Sequence, residues 1–351
     1  MSRSAPAAEA ATHGRSTGPS GAELATLFAP FAAHGRVLLA VSGGPDSTAL
    51  MLLAQRWQAL CGGRTELHVA TVDHGLRAES RAEAQAIRVL AQGLGLPHAI
   101  LDLPAKLPGT RLQEAARHAR YEALAAHADA IGAGALATAH TRDDQAETVL
   151  FRLMRGSGLG GLAGIPAARP LGSLALLRPL LGLPKAELVA LCRTAGIGFV
   201  VDPSNSDPRF ARARLRELLP SLAAEGLDAA ALTRLARRMA RAEAALEASA
   251  DAAAATLWTT EGGTGGPIRL ARAGLAALPE EIVLRLVGRA IAARGEGPVE
   301  LAKLEALAGW IAGLGAAEHG ARTLAGALVR VNRHAVTIGP APRRRPVRDV
   351  R

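Results

Sequence analysis

Between residue 21 and about residue 200, short apolar runs alternate with amphipathic stretches of a dozen or more positions. The runs Val37 to Val41, Leu67 to Val72, Ala99 to Leu103 and Ala135 to Ala139 are bounded by turn residues and predict strands, with Phe199 to Val201 as a shorter fifth. Between them, 47–60, 79–94, 111–131 and 143–154 carry helical periodicity. Strand and helix in strict alternation predict an α/β domain over 21–222, with a Rossmann-like doubly wound parallel sheet. Residues 1–20 hold Ala, Ser, Gly, Pro and Thr without apolar periodicity and are expected to be a disordered extension. Beyond Pro220 the pattern becomes Ala-rich helix, notably Ala229 to Leu257, then a Gly-rich break Glu261 to Pro267 and further helical pattern to about Gly315. A mainly helical region over 223–340 is therefore expected, with a small hairpin within Thr323 to Ile338. Residues 341–351, rich in Arg and Pro, read as a flexible basic tail.

Charge narrows the partners. The 351 residues hold 41 Lys+Arg against 31 Asp+Glu, a net charge of +10, which favours approach to a polyanion such as nucleic acid. Only two cysteines occur, Cys61 and Cys192, far apart in the sequence, so no CxxC pair or thiolate cluster is available for metal or sulfur chemistry. No apolar run approaches the ~20 residues that span a bilayer, and the N-terminus carries no hydrophobic signal core. The expectation is a cytoplasmic protein without a membrane partner; whether it forms a homodimer stays open.

The candidate chemistry begins at Ser42-Gly43-Gly44-Pro45-Asp46-Ser47, directly after the first strand and opening the first helix. Glycines remove Cβ where backbone must approach an anion, proline suits a helix start, and the following amides point at the ligand. Ser42 and Ser47 add hydroxyls. A Walker loop would end in GK[ST] and a dinucleotide loop would read GxGxxG; neither is present. Taken alone, the segment fits a phosphate cradle or a strand-to-helix turn capped by Asp46 or Ser47 equally well.

Four further blocks follow in order. Val72-Asp73-His74-Gly75-Leu76-Arg77 stands at the end of the second strand, at the carboxyl edge where doubly wound sheets hold ligands. In Glu114-Ala115-Ala116-Arg117-His118-Ala119-Arg120-Tyr121, Arg117 and Tyr121 share a helix face. His140-Thr141-Arg142-Asp143-Asp144-Gln145-Ala146-Glu147-Thr148 puts His140 at the mouth of the fourth strand and projects Asp144 and Glu147 together from a first helical turn. Arg152-Leu153-Met154-Arg155-Gly156-Ser157-Gly158-Leu159 is a basic helix end running into a Gly-rich loop.

The first block resembles the SGGxDS loop of the N-type ATP pyrophosphatases, or PP-loop superfamily. With the other four, and with Arg178-Pro179-Leu180-Leu181, Lys185, Glu187 and Asp202-Pro203-Ser204-Asn205 farther on, the chain to about residue 220 resembles the tRNA(Ile)-lysidine synthase family. That resemblance implies an ATP-dependent carbon–nitrogen ligase, with Mg2+ as its metal, tRNA(Ile) bearing a CAU anticodon and free L-lysine as partners. It implies a nucleotide cradle of Ser42, Gly43, Gly44, Pro45, Asp46 and Ser47, joined by His74 and Arg77, with Asp46 holding the metal. Arg117 and His140 are assigned to the α-phosphate or adenylate, and Asp144 and Glu147 to the lysine ammonium and its proton, with either able to be the base. Arg155, Arg212, Arg214 and Arg216 are expected on tRNA phosphates.

One departure is Ala213, within Arg212-Ala213-Arg214-Leu215-Arg216, where the family usually carries Asn. In the helical region, Arg234, Arg237, Arg238 and Arg241 recur at i, i+3, i+4 and i+7, a cationic stripe that is either solvated or set against RNA. Aromatic residues are 3% of the chain, which argues against an extended base-stacking platform, and Trp258 and Trp310 read as core. The rivals are a tRNA-thiolating PP-loop enzyme or a glutamine-fed synthetase, both of which need cysteines this sequence does not place, and a non-catalytic tRNA-binding module.

Overall fold

The computed structural model describes residues 18–73, 75, 80–103, 112–200, 211–263 and 265–342. His74, Arg77, most of the extension and the arginines of the tail lie outside the described residues. By contact density the chain divides into two units, one of residues 1–151 and 164–234, the other of residues 152–163 and 235–351.

The first unit begins with α1 (Gly21–Leu27), followed by β1 (Arg36–Ala40), α2 (Pro45–Leu60), β2 (Glu66–Asp73), α3 (Ser80–Gly93), β3 (His98–Asp102), α4 (Leu112–Ala130), β4 (Ala135–Ala137) and α5 (Arg142–Leu153). After the short α6 (Leu159–Leu162), which belongs to the second unit, come β5 (Ala168–Leu171), β6 (Leu174–Leu177), α7 (Lys185–Thr194) and α8 (Ala211–Ala224). The sheet order is β3-β2-β1-β4-β6-β5, parallel except for the edge strand β5. Strand order reverses between β1 and β4, so their carboxyl ends frame the crevice of a doubly wound sheet.

Both faces of this sheet are covered, which is why β1 reads as a continuous apolar run. Val37 and Leu39 join Leu50, Leu53, Trp57 and Leu188 on one face, while Leu38 joins Leu124, Leu136 and Leu176 on the other. Phe28, Phe31 and Trp57 pack ring against ring at 5.0–5.9 Å beneath the first face.

Two expectations are corrected. Phe199 and Val200 are not strand; the Val200 N–H donates to the Gly43 carbonyl at 2.9 Å, so this segment braces the glycine loop instead. The sheet is completed by the β5–β6 hairpin, whose Gly172-Ser173 connection was the available signal. Ser20, assigned to the extension, caps α1: its hydroxyl accepts from the Glu23 N–H, and the Glu23 carboxylate accepts from the Ser20 N–H.

The second unit contains α9 (Ala229–Leu257) from Leu235 onward, then β7 (Trp258–Thr260), β8 (Ile268–Ala271), α10 (Arg272–Ala276), α11 (Glu280–Arg294), α12 (Leu301–Gly313), β9 (Gly320–Leu324), β10 (Ala327–Val331) and β11 (Ala335–Pro340). Helix predominates, yet the hairpin expected within Thr323 to Ile338 is part of a five-stranded antiparallel sheet, β7-β8-β11-β10-β9. Strands as short as β7 and β8, split by the glycine break, offer too few alternating positions to be read as strands. Trp258 and Trp310 pack against the core of this unit. Among the described residues, no helix is long and apolar enough to cross a membrane.

Candidate active site

The glycine loop turns between β1 and α2 with Gly43 at φ +86°, a conformation that favours glycine. Ser47 fixes the turn: its hydroxyl donates to the Gly44 carbonyl at 3.0 Å and accepts from the Ser42 N–H at 3.1 Å. Pro45 opens α2 with Gly44 as its cap, so the first amides of the helix face the crevice without a side-chain acceptor. The buried Cys192 thiol donates to the Pro45 carbonyl at 3.4 Å, and burial pushes its pKa up to about 11.

Three helix amino ends meet here. Lys185, at the start of α7, sets its Nζ 3.3 Å from Asp46 Oδ2, and its backbone N–H donates to Asp143 Oδ2 at 2.8 Å. Asp143 and Asp144 open α5. Burial raises the Asp46 pKa; the Lys185 ammonium opposes the rise and the Asp144 and Asp143 carboxylates add to it. Asp46 Oδ1 is buried without a hydrogen-bond partner. An orphaned carboxylate oxygen beside other carboxylates fits a magnesium ion that takes one or two protein oxygens and completes its shell with phosphate and water.

Asp144 also serves its own helix. Its Oδ2 accepts from the Thr141 N–H at 2.8 Å and from the Thr141 hydroxyl at 2.9 Å, and its N–H donates back to that hydroxyl at 3.3 Å. The carboxylate is thereby locked in a capping box. Gln145, one residue on, accepts from the Ile165 N–H and donates to the Ile165 carbonyl, tying the following loop down. Glu147 is buried, and the Arg216 guanidinium of α8 donates to both its oxygens, one through Nη2 at 3.0 Å. Arg216, expected on tRNA phosphates, here faces a buried carboxylate that needs a cation.

His140, just beyond β4, is hydrogen-bonded through Nδ1 to the Thr138 hydroxyl at 3.0 Å. Burial drives its pKa down to about 4; Asp144 opposes the fall, and Arg178, Arg117 and Arg120 reinforce it. The ring is therefore neutral near pH 7. Arg117 and Arg120 stack on the Tyr121 ring at 5.4 and 5.8 Å. Arg155 is exposed on the turn after α5, Arg214 is exposed on α8, and Arg212 lies in the first turn of α8. Structure thus groups Ser42 to Ser47, Arg117, His140, Asp144 and Glu147 at the carboxyl edge of one sheet. It adds Lys185, Asp143 and Arg178, to which sequence reading gives no role. All three stand within the segments that carry the family resemblance, and that was the available signal.

A family model described as the PP-loop domain matches residues 19–222. The tRNA(Ile)-lysidine synthase of Bradyrhizobium sp. (strain BTAi1) is 51% identical over 93% of this chain and 96% of its own length, and that of Methylobacterium nodulans is 54% identical over 89% and 92%. The chain belongs to the tRNA(Ile)-lysidine synthase family. As a lysidine synthase family member it is an ATP-dependent ligase with the PP-loop fold. The U34-tRNA thiolase NcsA from Methanococcus maripaludis, with its [4Fe-4S] cluster, is similar to it in fold, with a TM-score of 0.53 at 16% identity over 62% of this chain and 76% of that one.

Proposed function

We propose that this site adenylates the C2 oxygen of the wobble cytidine in the CAU anticodon of tRNA(Ile) and then joins that carbon to the ε-nitrogen of free L-lysine. Family membership supports the reaction, and the meeting of three helix amino ends beside a divided set of acidic and basic side chains supports its placement. In the first step the C2 oxygen attacks the α-phosphorus, and the bond to the β-phosphate breaks. Gly43, Gly44 and Ser47 cradle the departing pyrophosphate with backbone amides, Ser42 adds its hydroxyl, and Pro45, which has no N–H, sets the helix start that aims them. Asp46 would hold Mg2+, whose chemistry is to neutralise charge on the phosphates. Arg117 supplies positive charge at the α-phosphate, and neutral His140 supplies a ring nitrogen as donor rather than a charge. His74 and Arg77 are assigned to the same nucleotide pocket.

In the second step lysine nitrogen attacks C2, the C2–O bond breaks and AMP leaves. At pH 7 only about one lysine amine in ~2,500 is deprotonated, a deficit of ~4.6 kcal/mol, so a proton must be accepted as attack proceeds. Asp144 and Glu147 hold the ammonium and take that proton. Arg155, Arg212 and Arg214 contact tRNA phosphates, and the mainly helical region after residue 222 contributes further tRNA contacts.

Incubation of the purified chain with ATP, radiolabelled lysine and a bacterial tRNA pool tests the proposal. Label is expected in one isoleucine tRNA with stoichiometric release of AMP and pyrophosphate; label in no tRNA would overturn it.

A further inference from the structure

The first unit holds a second concavity of about 700 Å3, between α4 and the β5–β6 hairpin. Helix α4 lines it with Arg117, Tyr121, Glu122, Ala125 and Asp129, and the hairpin with Arg169, Leu171 and Leu174. Strand β6 runs parallel to β4, and Ala168 pairs with Leu177, so Arg169 lies toward the carboxyl edge of the sheet, the edge that carries His140. Because α4 returns from β3 to β4, its early residue Arg117 lies at that edge too. At the opposite end the Ser173 hydroxyl donates to Asp129 Oδ1 at 3.1 Å. The cleft therefore leads away from the candidate reacting centre, with a cationic mouth and an apolar floor.

The mouth carries excess charge. Arg117 and Arg169 line it, Arg120 and Arg178 lie close enough to repel them, and among the described residues none of the four is ion-paired to a carboxylate. Arg178 spends Nη1 on the Pro166 carbonyl at 2.7 Å, while its buried Nε has no partner. Burial and mutual repulsion lower the pKa of Arg120 and Arg178. By contrast the largely buried Arg285 of the second unit meets Glu243, Glu247 and Glu281. Four guanidiniums without an ion-pair partner among the described residues, against lining carboxylates Glu122 and Asp129 that lie against His118 and Ser173, leave positive charge at this edge that suits an anion supplied from outside.

We propose that this cleft receives a nucleotide adjoining the modified cytidine, with its phosphate on Arg169 and its base against Ala125, Leu171 and Leu174. The inference rests on the function proposed above. Single-stranded loops are recognised through splayed bases and phosphate contacts, and the volume lies within the ~300–1,000 Å3 range of ligand sites. A flanking nucleotide held here would keep the reactive base out of the anticodon stack while two reactions are completed on it. The pyrophosphate cradle at α2 is separate, so free nucleotide and RNA make different claims on the two places.

Arg169 is exposed on an edge strand, outside the reacting groups, and its Nη1 only approaches the Pro170 carbonyl at 3.4 Å. The test uses the full chain with Arg169→Glu and, separately, Ala125→Trp to fill the floor. Affinities for ATP and for a synthetic CAU anticodon stem-loop are measured over a salt series. Both variants are expected to weaken stem-loop binding by about tenfold or more, with Arg169→Glu lowering the salt slope by about one unit and ATP affinity held. Wild-type stem-loop affinity in Arg169→Glu would overturn the proposal, as would a loss confined to ATP. Should Ala125→Trp lower the melting temperature, Arg169→Glu decides alone. Failure of the unmodified chain to form lysidine would count against the parent reading and is scored in the separate labelling assay.

Discussion

Glu147 meets two demands that pull against each other. Its burial requires a cation, which Arg216 supplies through a two-point contact, yet an acceptor for the lysine proton must be free to take it. An arriving ammonium can share or displace the guanidinium, so Arg216 is best regarded as a positioning residue. Arg216→Met should lower kcat for lysidine formation by about 100-fold while leaving tRNA Kd within about twofold, since the lost group is held by a carboxylate; stopped-turnover assays and filter binding separate the two. A phosphate-contact role would give the reverse result. Both acidic positions were legible as a pair in sequence because three-residue spacing on a helix fixes their common side. What spacing could not reveal is that Asp144 is spent on its helix cap and Glu147 on Arg216, because those partners are set by the backbone turn at Thr141 and by a helix about seventy positions downstream.

At the scale of elements, the strands buried on both faces were legible, and so was the 29-residue α9, which matches its sequence expectation end to end. Short edge elements were not. The β5–β6 hairpin carries Pro170 and only four residues per strand, and proline reads as a break although an edge strand tolerates it. The β9–β10 turn has a sequence reason for escaping notice: its two-residue connection is Ala325-Gly326, at φ +49° and +79°, where Asn-Gly is the usual signature. Ala325 therefore occupies a left-handed conformation that costs an alanine about 1 kcal/mol. Ala325→Asn should stabilise the second unit by about 0.5–1 kcal/mol, measured as a shift to higher denaturant midpoint; an unchanged or lower midpoint would contradict the strain assigned to this turn.

For the molecule as a whole, histidines whose pKa is lowered by burial, His140, His98 and His68, set a dependence on pH. His140 and His98 are both held near pKa 4, each chiefly by burial, against an ordinary value of 6.5. Between those values the unfolded chain binds protons that the folded chain refuses, so stability is fullest above about pH 6.5 and falls as pH drops toward 4. Urea midpoints taken across that window should decline with acidity, and His140→Gln should flatten part of the decline. The division of the chain itself carries a further consequence. The backbone passes from one unit to the other after Phe151, returns after Ala163 and passes again after Arg234. Residues 152–163 lie against the later chain closely enough that a methyl on Gly160 would come within 2.7 Å of Glu243, and one on Gly158 within 3.2 Å of Leu301. A tail fragment beginning at Leu235 would thus lack part of its own wall, and evolution by simple fusion or loss of that tail would leave a gap in whichever piece remained. Recombining this enzyme with its relatives calls for exchange points at all three crossings rather than at a single seam.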